Sequence, residues 1–205
     1  LKGLPLVTAG SGVAIALPAN FGIAPNPAAA ELPTVKGARA IVSGSCSRAT
    51  NGQVEHFLST GDPAYELDPM ALTDDDRAEQ AVLHWADAML PHGRPLLVYS
   101  TANPEKLKAV QHRLGVHQAS ERVERALATI ACGLAKRGVR QLVVAGGETS
   151  GSVVQALQMH QLQIGSQIDP GVPWCAGRSE WLGEPMLITL KSGNFGAKDF
   201  FSKAF

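Results

Sequence analysis

Charge imbalance, long apolar runs and abundant cysteine are all missing from this sequence of 205 residues. Lys and Arg together number 18, as do Asp and Glu, so no net positive charge is available to neutralise nucleic-acid phosphates. No apolar run approaches the roughly 20 residues of a membrane-spanning helix, so we expect a soluble protein without a nucleic-acid or membrane partner. The three cysteines, Cys46, Cys132 and Cys175, are too far apart for a CxxC site and predict reduced thiols in a cytoplasmic protein.

Several catalytic signatures are missing as well. The sequence has no GxxxxGK[ST] phosphate loop, no GxGxxG dinucleotide motif and no GxSxG nucleophile elbow. Its six histidines show no HExxH or paired-ligand spacing, which argues against a structural zinc site. An active site, if there is one, must be built from other groups.

What the sequence does contain is a regular alternation of apolar runs and amphipathic stretches. Helical periodicity predicts helices over about residues 51–59, 73–90, 123–134 and 153–157, with Thr73 as the cap of the second. Such alternation predicts an α/β fold, in which a mostly parallel sheet carries helices on both faces. Runs typical of strands stand at Leu4–Thr8, Ala38–Val42, Leu96–Tyr99, Leu142–Ala145 and Met186–Leu190.

A proline-rich stretch marks a domain boundary near the beginning of the chain. Four prolines fall between Pro18 and Lys36, and proline fixes φ and removes a backbone donor, so we expect an extended linker there. The first residue is Leu1 rather than Met, and we expect the natural N-terminus to lie upstream. We therefore assign residues 1–35 to a domain remnant with its linker, and residues 36–205 to one domain.

Three glycine-rich loops follow predicted strands, namely Ser43–Ser45, Gly146–Gly151 and Lys191–Gly196. In parallel sheets, ligands bind beyond the carboxyl ends of the strands, where loops lead into helices. Glycine lets backbone N–H groups approach an anion closely, and a helix N-terminus adds about half a positive charge. The pattern predicts a phosphate-binding site.

Individual residues in these loops have both a functional and an ordinary interpretation. Gly146, Gly147 and Thr149 suit a phosphate-binding turn, or an ordinary turn in which Thr149 only caps the helix. Glu148 is a candidate Mg²⁺ ligand, directly or through water, or simply a surface carboxylate. Lys191 either neutralises a phosphate as a catalytic group or is a solvated lysine.

The serines of the first loop are equally ambiguous. Ser43 and Ser45 offer hydroxyls to a phosphate or a sugar, but serine clusters also simply end strands. Both interpretations stay open on the residues alone.

Longer segments resemble the four-carbon acid sugar kinase family, in its nucleotide-binding half. The resemblance covers about Ala38 to the end, and Leu6–Gly12 is similar to the end of the N-terminal sugar-acid domain of that family. The stretch Cys175–Glu184 is longer than is usual in the family. The matching segments are Ser43–Ser47, Val144–Leu157, Ile168–Trp174, Leu190–Gly196 and Asp199–Phe201.

The resemblance implies an ATP-binding domain of a kinase that phosphorylates the terminal hydroxyl of a sugar acid such as 3-oxo-tetronate. It implies Mg²⁺ as a cofactor and makes residues 1–35 the remnant of the sugar-acid-binding domain. The missing part of that domain would be a partner of this chain and would hold the catalytic base. The sugar acid itself and homo-oligomer formation stay open. The residues implied to contact ATP are a serine of the first loop (Ser45 before Ser43), Gly146, Gly147, Glu148, Thr149 and Gly193.

Two other functions fit the same loops. A module that holds a nucleotide without turnover would share every loop. A serine-dependent hydrolase would need a serine–histidine pair, and no histidine neighbours these loops in the sequence.

Overall fold

The computed structural model describes residues 3–9, 11–72, 75–100 and 116–205. The strands in these ranges are β1 (Ala38–Ser43), β2 (Ala64–Glu66), β3 (Leu96–Tyr99), β4 (Val139–Ala145), β5 (Leu162–Asp169), β6 (Val172–Arg178) and β7 (Pro185–Lys191). The α-helices are α1 (Leu17–Asn20), α2 (Arg48–Ser59), α3 (Arg77–Met89), α4 (Val116–Lys136), α5 (Gly147–Ala156) and α6 (Phe200–Lys203). Short 3-10 helices lie at Ser11–Ala16, Pro27–Ala30, Pro69–Ala71 and Leu90–His92.

All seven described strands belong to one sheet, in the order β2-β3-β1-β4-β7-β6-β5. The five strands from β2 to β7 in this order run parallel, and β6 and β5 add an antiparallel hairpin at one edge. The prediction of a mostly parallel α/β sheet is thus confirmed. The chain must cross over between parallel neighbours, which is why helices separate these strands in the sequence.

Side chains alternate between the two faces of the sheet, and each face has its own apolar core. On one face, Ala40 and Val42 pack with helices α3, α4 and α5. On the other, Ile41 and Val143 pack with α2 and α6, through Phe57, Phe200 and Phe201 among others. Helices therefore cover both faces, as the near-continuous apolar strands require.

Some predictions of local structure were wrong. The run Leu4–Thr8 is not a strand, and the proline-rich stretch contains α1 and a 3-10 helix at Pro27–Ala30 instead of being extended throughout. The hairpin of β5 and β6 was not predicted at all. Helix α3 begins at Arg77, and Thr73, its expected cap, lies outside the described residues.

The described part of the first 30 residues exposes most of its apolar side chains. Leu6 and Ile15 are 84% and 83% exposed, and Phe21 is 76% exposed. No helix among the described residues is long and apolar enough to cross a membrane.

Helices α3 and α4 approach closely where a glycine faces a leucine. A Cβ added to Gly133 would lie 2.5 Å from Leu83 Cδ1 and 2.6 Å from Cδ2, and Leu83 is buried. We expect Gly133→Val to lower the free energy of unfolding by about 1–3 kcal/mol, the usual cost of overpacking a core. Urea denaturation measures it.

Gly52 provides the matched control, because it also lies within a helix but a Cβ there meets nothing within 4 Å. Gly52→Ala should stabilise the fold by about 0.5–1 kcal/mol through helix propensity. Equal effects of the two substitutions would contradict the close packing of α3 on α4.

Candidate functional site

The three glycine-rich loops meet at one edge of the sheet. Strands β1, β4 and β7 are neighbours, and their last residues, Ser43, Ala145 and Lys191, stand side by side in the register. Backbone bonds continue into the loops: Gly44 N–H donates to Ala145 O at 3.0 Å, and Gly146 N–H donates to Lys191 O at 2.8 Å. The strands thus deliver all three loops to the same place.

The loops are packed so tightly that two glycines have no room for a side chain. A Cβ on Gly193 would lie 2.6 Å from Ser45 Oγ and 3.0 Å from Ser47 Cβ. A Cβ on Gly44 would collide with the Thr149 side chain, so any other residue at this position would force the loops to move. At these two positions the loops can present only backbone.

The second loop leads directly into helix α5. Gly146 precedes the helix with φ of 127°, a conformation that side chains rarely adopt, and a Cβ there would approach Thr149 Oγ1 to 2.9 Å. Gly147 is exposed, has open space where a Cβ would be, and is not among the residues with positive φ. The conformational need for glycine lies at Gly146, whereas at Gly147 only a ligand could require it.

The serines of the first loop have different environments. Ser47 caps α2: its Oγ accepts from Thr50 N–H at 3.2 Å, and it also donates to Gly193 O in a short contact. Ser45 is half-buried and its Oγ accepts from Ser47 N–H at 3.3 Å. Ser43 is fully buried, and its Oγ has no hydrogen-bond partner within the described chain.

Lys191 is not a solvated lysine, and that interpretation is corrected. Its residue exposure is 0%, and its Nζ donates to Thr50 Oγ1 at 2.9 Å, Ser192 O at 3.2 Å and Gly193 O at 3.3 Å. The ammonium is thus directed at the loop that follows the strand. Burial lowers the pKa of Lys191 from its usual 10.5 to about 8, because the charged form loses solvation.

Helix α2 holds this loop through two buried polar residues that the sequence did not single out. Thr50 Oγ1 donates to Gly193 O at 2.9 Å. One turn later, Gln53 Nε2 lies 3.0–3.1 Å from the carbonyl oxygens of residues 195, 196 and 197. The signal available in the sequence was the cap, Ser47, which places Thr50 in the first turn of a helix.

The tip of the β5–β6 hairpin supports the same loop from the other side. The Asp169 carboxylate accepts from Ala197 N–H at 2.8 Å and from Lys203 Nζ at 2.5 Å. These bonds, led by the one from Lys203, lower the pKa of Asp169, and the same pair raises the pKa of Lys203. The ring of Phe195 packs against Gly171 at the hairpin turn.

Glu148 lies in the first turn of α5, exposed and beside a second carboxyl group. Burial, and then the hydrogen bond with Glu148, raise the pKa of Glu124 on α4. Among the described residues, no three His, Cys, Asp or Glu side chains come together as a metal cluster. The arrangement suits Mg²⁺, which is commonly held by one or two carboxylates together with substrate phosphates.

A hydrolytic site is not supported by the part of the chain that the structure describes. Ser43, Ser100, Ser150 and Ser179 have buried hydroxyls without partners there, and none is hydrogen-bonded to a histidine. The one histidine ion pair found there joins His160 to Glu180.

A family model described as a nucleotide-binding C-terminal domain matches residues 40–201. The chain belongs to this family. Two relatives of the nucleotide-binding domain, both named 3-oxo-tetronate kinase, come from Cupriavidus necator and Burkholderia multivorans and are 49% and 51% identical to it over 205 residues. Each match covers 98% of this chain and 46% of the relative, so the domain spans about half the length of these relatives.

A solved structure of a related protein has the same fold as this chain. The crystal structure of a Haemophilus influenzae protein of the family DUF1537 superimposes with a TM-score of 0.79 at 39% identity, covering 94% of this chain and 45% of that one. The resemblance that the glycine-rich segments suggested is confirmed by these matches.

The two adjacent glycines make a test of the local geometry. Gly146→Ala should lower the free energy of unfolding by about 1–3 kcal/mol, because alanine is strained at positive φ and its Cβ meets Thr149. Gly147→Ala, in open space, should stay within about 0.5 kcal/mol of the unmodified chain. Denaturant unfolding of the two variants checks this, and a larger loss at Gly147 would contradict the loop geometry.

Proposed function

We propose that the three-loop edge binds the phosphates of ATP, in the nucleotide half of a kinase that phosphorylates the terminal hydroxyl of a four-carbon sugar acid such as 3-oxo-tetronate. The observation that carries the proposal is the backbone surface at the ends of β1, β4 and β7, which three tightly packed glycine loops create. Relatives named 3-oxo-tetronate kinase support the choice of substrate class.

The contacts proposed follow from what the loops offer. Gly146, Gly147 and Thr149 begin α5, and the backbone N–H groups of a first helical turn have no partner within the helix and attract anions. Gly193 and Ser45 stand on the facing loops and would complete the enclosure. Ser43 is buried, so its part in the site is to shape the loop rather than to offer an exposed hydroxyl.

Glu148 is the proposed holder of Mg²⁺, which would neutralise phosphate charge when bound. Its exposed carboxylate in the first turn of α5 stands next to the proposed phosphate site. The neighbouring carboxyl of Glu124 offers a second group of oxygen donors beside it.

Phosphoryl transfer requires little covalent chemistry from the protein, and positioning with charge stabilisation supplies most of the rate enhancement. The loops and Lys191 fit that role. A base for the sugar hydroxyl is then needed, and we place it in the half of the relatives' length that this chain does not cover. The exposed apolar side chains of Leu6, Ile15 and Phe21 fit a surface that contacts that half.

Gly147 allows nucleotide binding to be separated from folding. Gly147→Val should leave the unfolding free energy nearly unchanged and lower ADP affinity at least tenfold, because the side chain would block approach of a phosphate to the backbone. Isothermal titration calorimetry measures the affinity. Affinity equal to that of the unmodified chain would contradict the assignment of this loop.

The kinase assignment is tested by joining the chain to the part that its relatives possess. We expect this chain alone to bind ADP and to have negligible activity, and the polypeptide of the relatives' length to transfer phosphate from ATP to a 3-oxo-tetronate. Phosphorus NMR of the product identifies the phosphorylated hydroxyl.

Rapid phosphorylation of the sugar acid by this chain alone would contradict the placement of the catalytic base in the part of the relatives that this chain does not cover. ADP binding without transfer by the longer polypeptide would favour a nucleotide-binding module without turnover.

A further inference from the structure

Lys191 is a buried positive charge whose partners are all uncharged. Its ammonium contacts one hydroxyl, that of Thr50, and the carbonyl oxygens of Ser192 and Gly193. Among the described residues, no carboxylate lies within 4.0 Å of its Nζ, although other basic side chains there, such as Arg94 and Arg137, do form ion pairs. The charge is hydrogen-bonded but not neutralised.

No charged group reaches Lys191 from the elements packed around it in the described structure. On α2, Thr50 contacts its Nζ, whereas the exposed Arg48 and Glu55 and the partly exposed His56 are not among its partners. Beside it on β4 stands Ala145. The other charged groups nearby have different surroundings. Asp169 and Asp199 both pair with Lys203, and Lys198 is exposed. Glu148 lies beside Glu124.

An unpaired buried charge lowers the stability of a fold, so a buried lysine without a carboxylate partner needs an explanation. Removing an ion from water costs several kcal/mol unless an opposite charge and hydrogen bonds compensate. Here burial alone lowers the pKa of Lys191 to about 8, with no carboxylate acting to raise it. The three-loop edge, where we propose that phosphate binds, lies beside Lys191, because Gly146 N–H donates to the carbonyl oxygen of Lys191.

We propose that Lys191 is a positioning residue that also carries the positive charge of the site: it holds the Gly193 turn, and a phosphate bound at the three loops supplies the missing negative charge. The inference rests on the proposed nucleotide site and states how its charge is balanced. The ammonium acts from within the protein, through space and through the turn that it holds.

A measurable consequence is that nucleotide binding takes up a proton. Near pH 8, Lys191 is about half protonated in the chain without nucleotide, and a phosphate bound nearby favours the charged form. Binding should therefore be proton-neutral near pH 7, take up about half a proton at pH 8, and approach one proton at pH 9. At pH 8 and 9 the ADP phosphates contribute almost no proton of their own, because the last proton of a phosphate monoester leaves near pH 6.

The test is calorimetric titration of the unmodified chain with ADP at these three pH values, in pairs of buffers that differ in ionisation enthalpy. Proton uptake that rises with pH, with affinity falling above about pH 8, supports the inference. ADP binding without proton uptake at pH 8 and 9 overturns it and leaves the nucleotide site intact. If ADP does not bind at all, the proposed function fails and the inference fails with it.

Two variants assign the proton. Lys191→Met keeps the length of the side chain without its charge, and should lower ADP affinity at pH 7 at least tenfold and abolish proton uptake. Lys198→Met removes an exposed lysine from the same segment, and should change affinity less than threefold with the uptake retained. Proton uptake that persists in Lys191→Met overturns the inference. If Lys191→Met does not fold, the proton uptake measured with the unmodified chain decides whether the inference holds.

Discussion

Three parallel strands that end at the same level, β1, β4 and β7, impose the constraint on which the rest of the site depends. Because Ser43, Ala145 and Lys191 are register partners, the chain leaves the sheet at three adjacent points with little space between them. At Gly44 and Gly193 there is no room for a side chain. What remains is a surface of backbone, which is the kind of surface that binds phosphate irrespective of sequence detail.

Most of the hydrogen bonds that hold the loop after β7 come from buried polar side chains, and the Asp169–Lys203 pair adds one from the hairpin. Thr50 and Gln53 extend from one helix to the carbonyl groups of the loop after β7, and Lys191 reaches the same carbonyls from the strand end. Such hydrogen bonds are buried and directional, so they fix the loop before a ligand arrives. Preorganisation of this kind lowers the reorganisation that phosphoryl transfer requires.

Much of this could be predicted from the sequence, where local chemistry decides. Apolar runs that end in glycine identified the strands β1, β4 and β7 and the loops after them, and the long ordered segments identified the family. Long-range partners could not be predicted: Thr50 and Gln53 lie more than 140 residues from the loop that they hold. The β5–β6 hairpin was missed because most of β5 is polar and partly exposed, whereas the apolar run at Leu4–Thr8 has no strand beside it within the described chain. The roles of the individual site residues stay predictions.

The central claim, that phosphates bind where the three loops meet, is tested most directly by a crystal structure of the chain with a non-hydrolysable ATP analogue and Mg²⁺. The account predicts phosphate oxygens at the backbone N–H groups of Gly146 and Gly147, facing Ser45 and Gly193, with the metal on the side of Glu148. A nucleotide bound elsewhere, such as in the groove between α3, α4 and α5 that Leu83, Thr129 and Cys132 line, with the three loops empty, would contradict it.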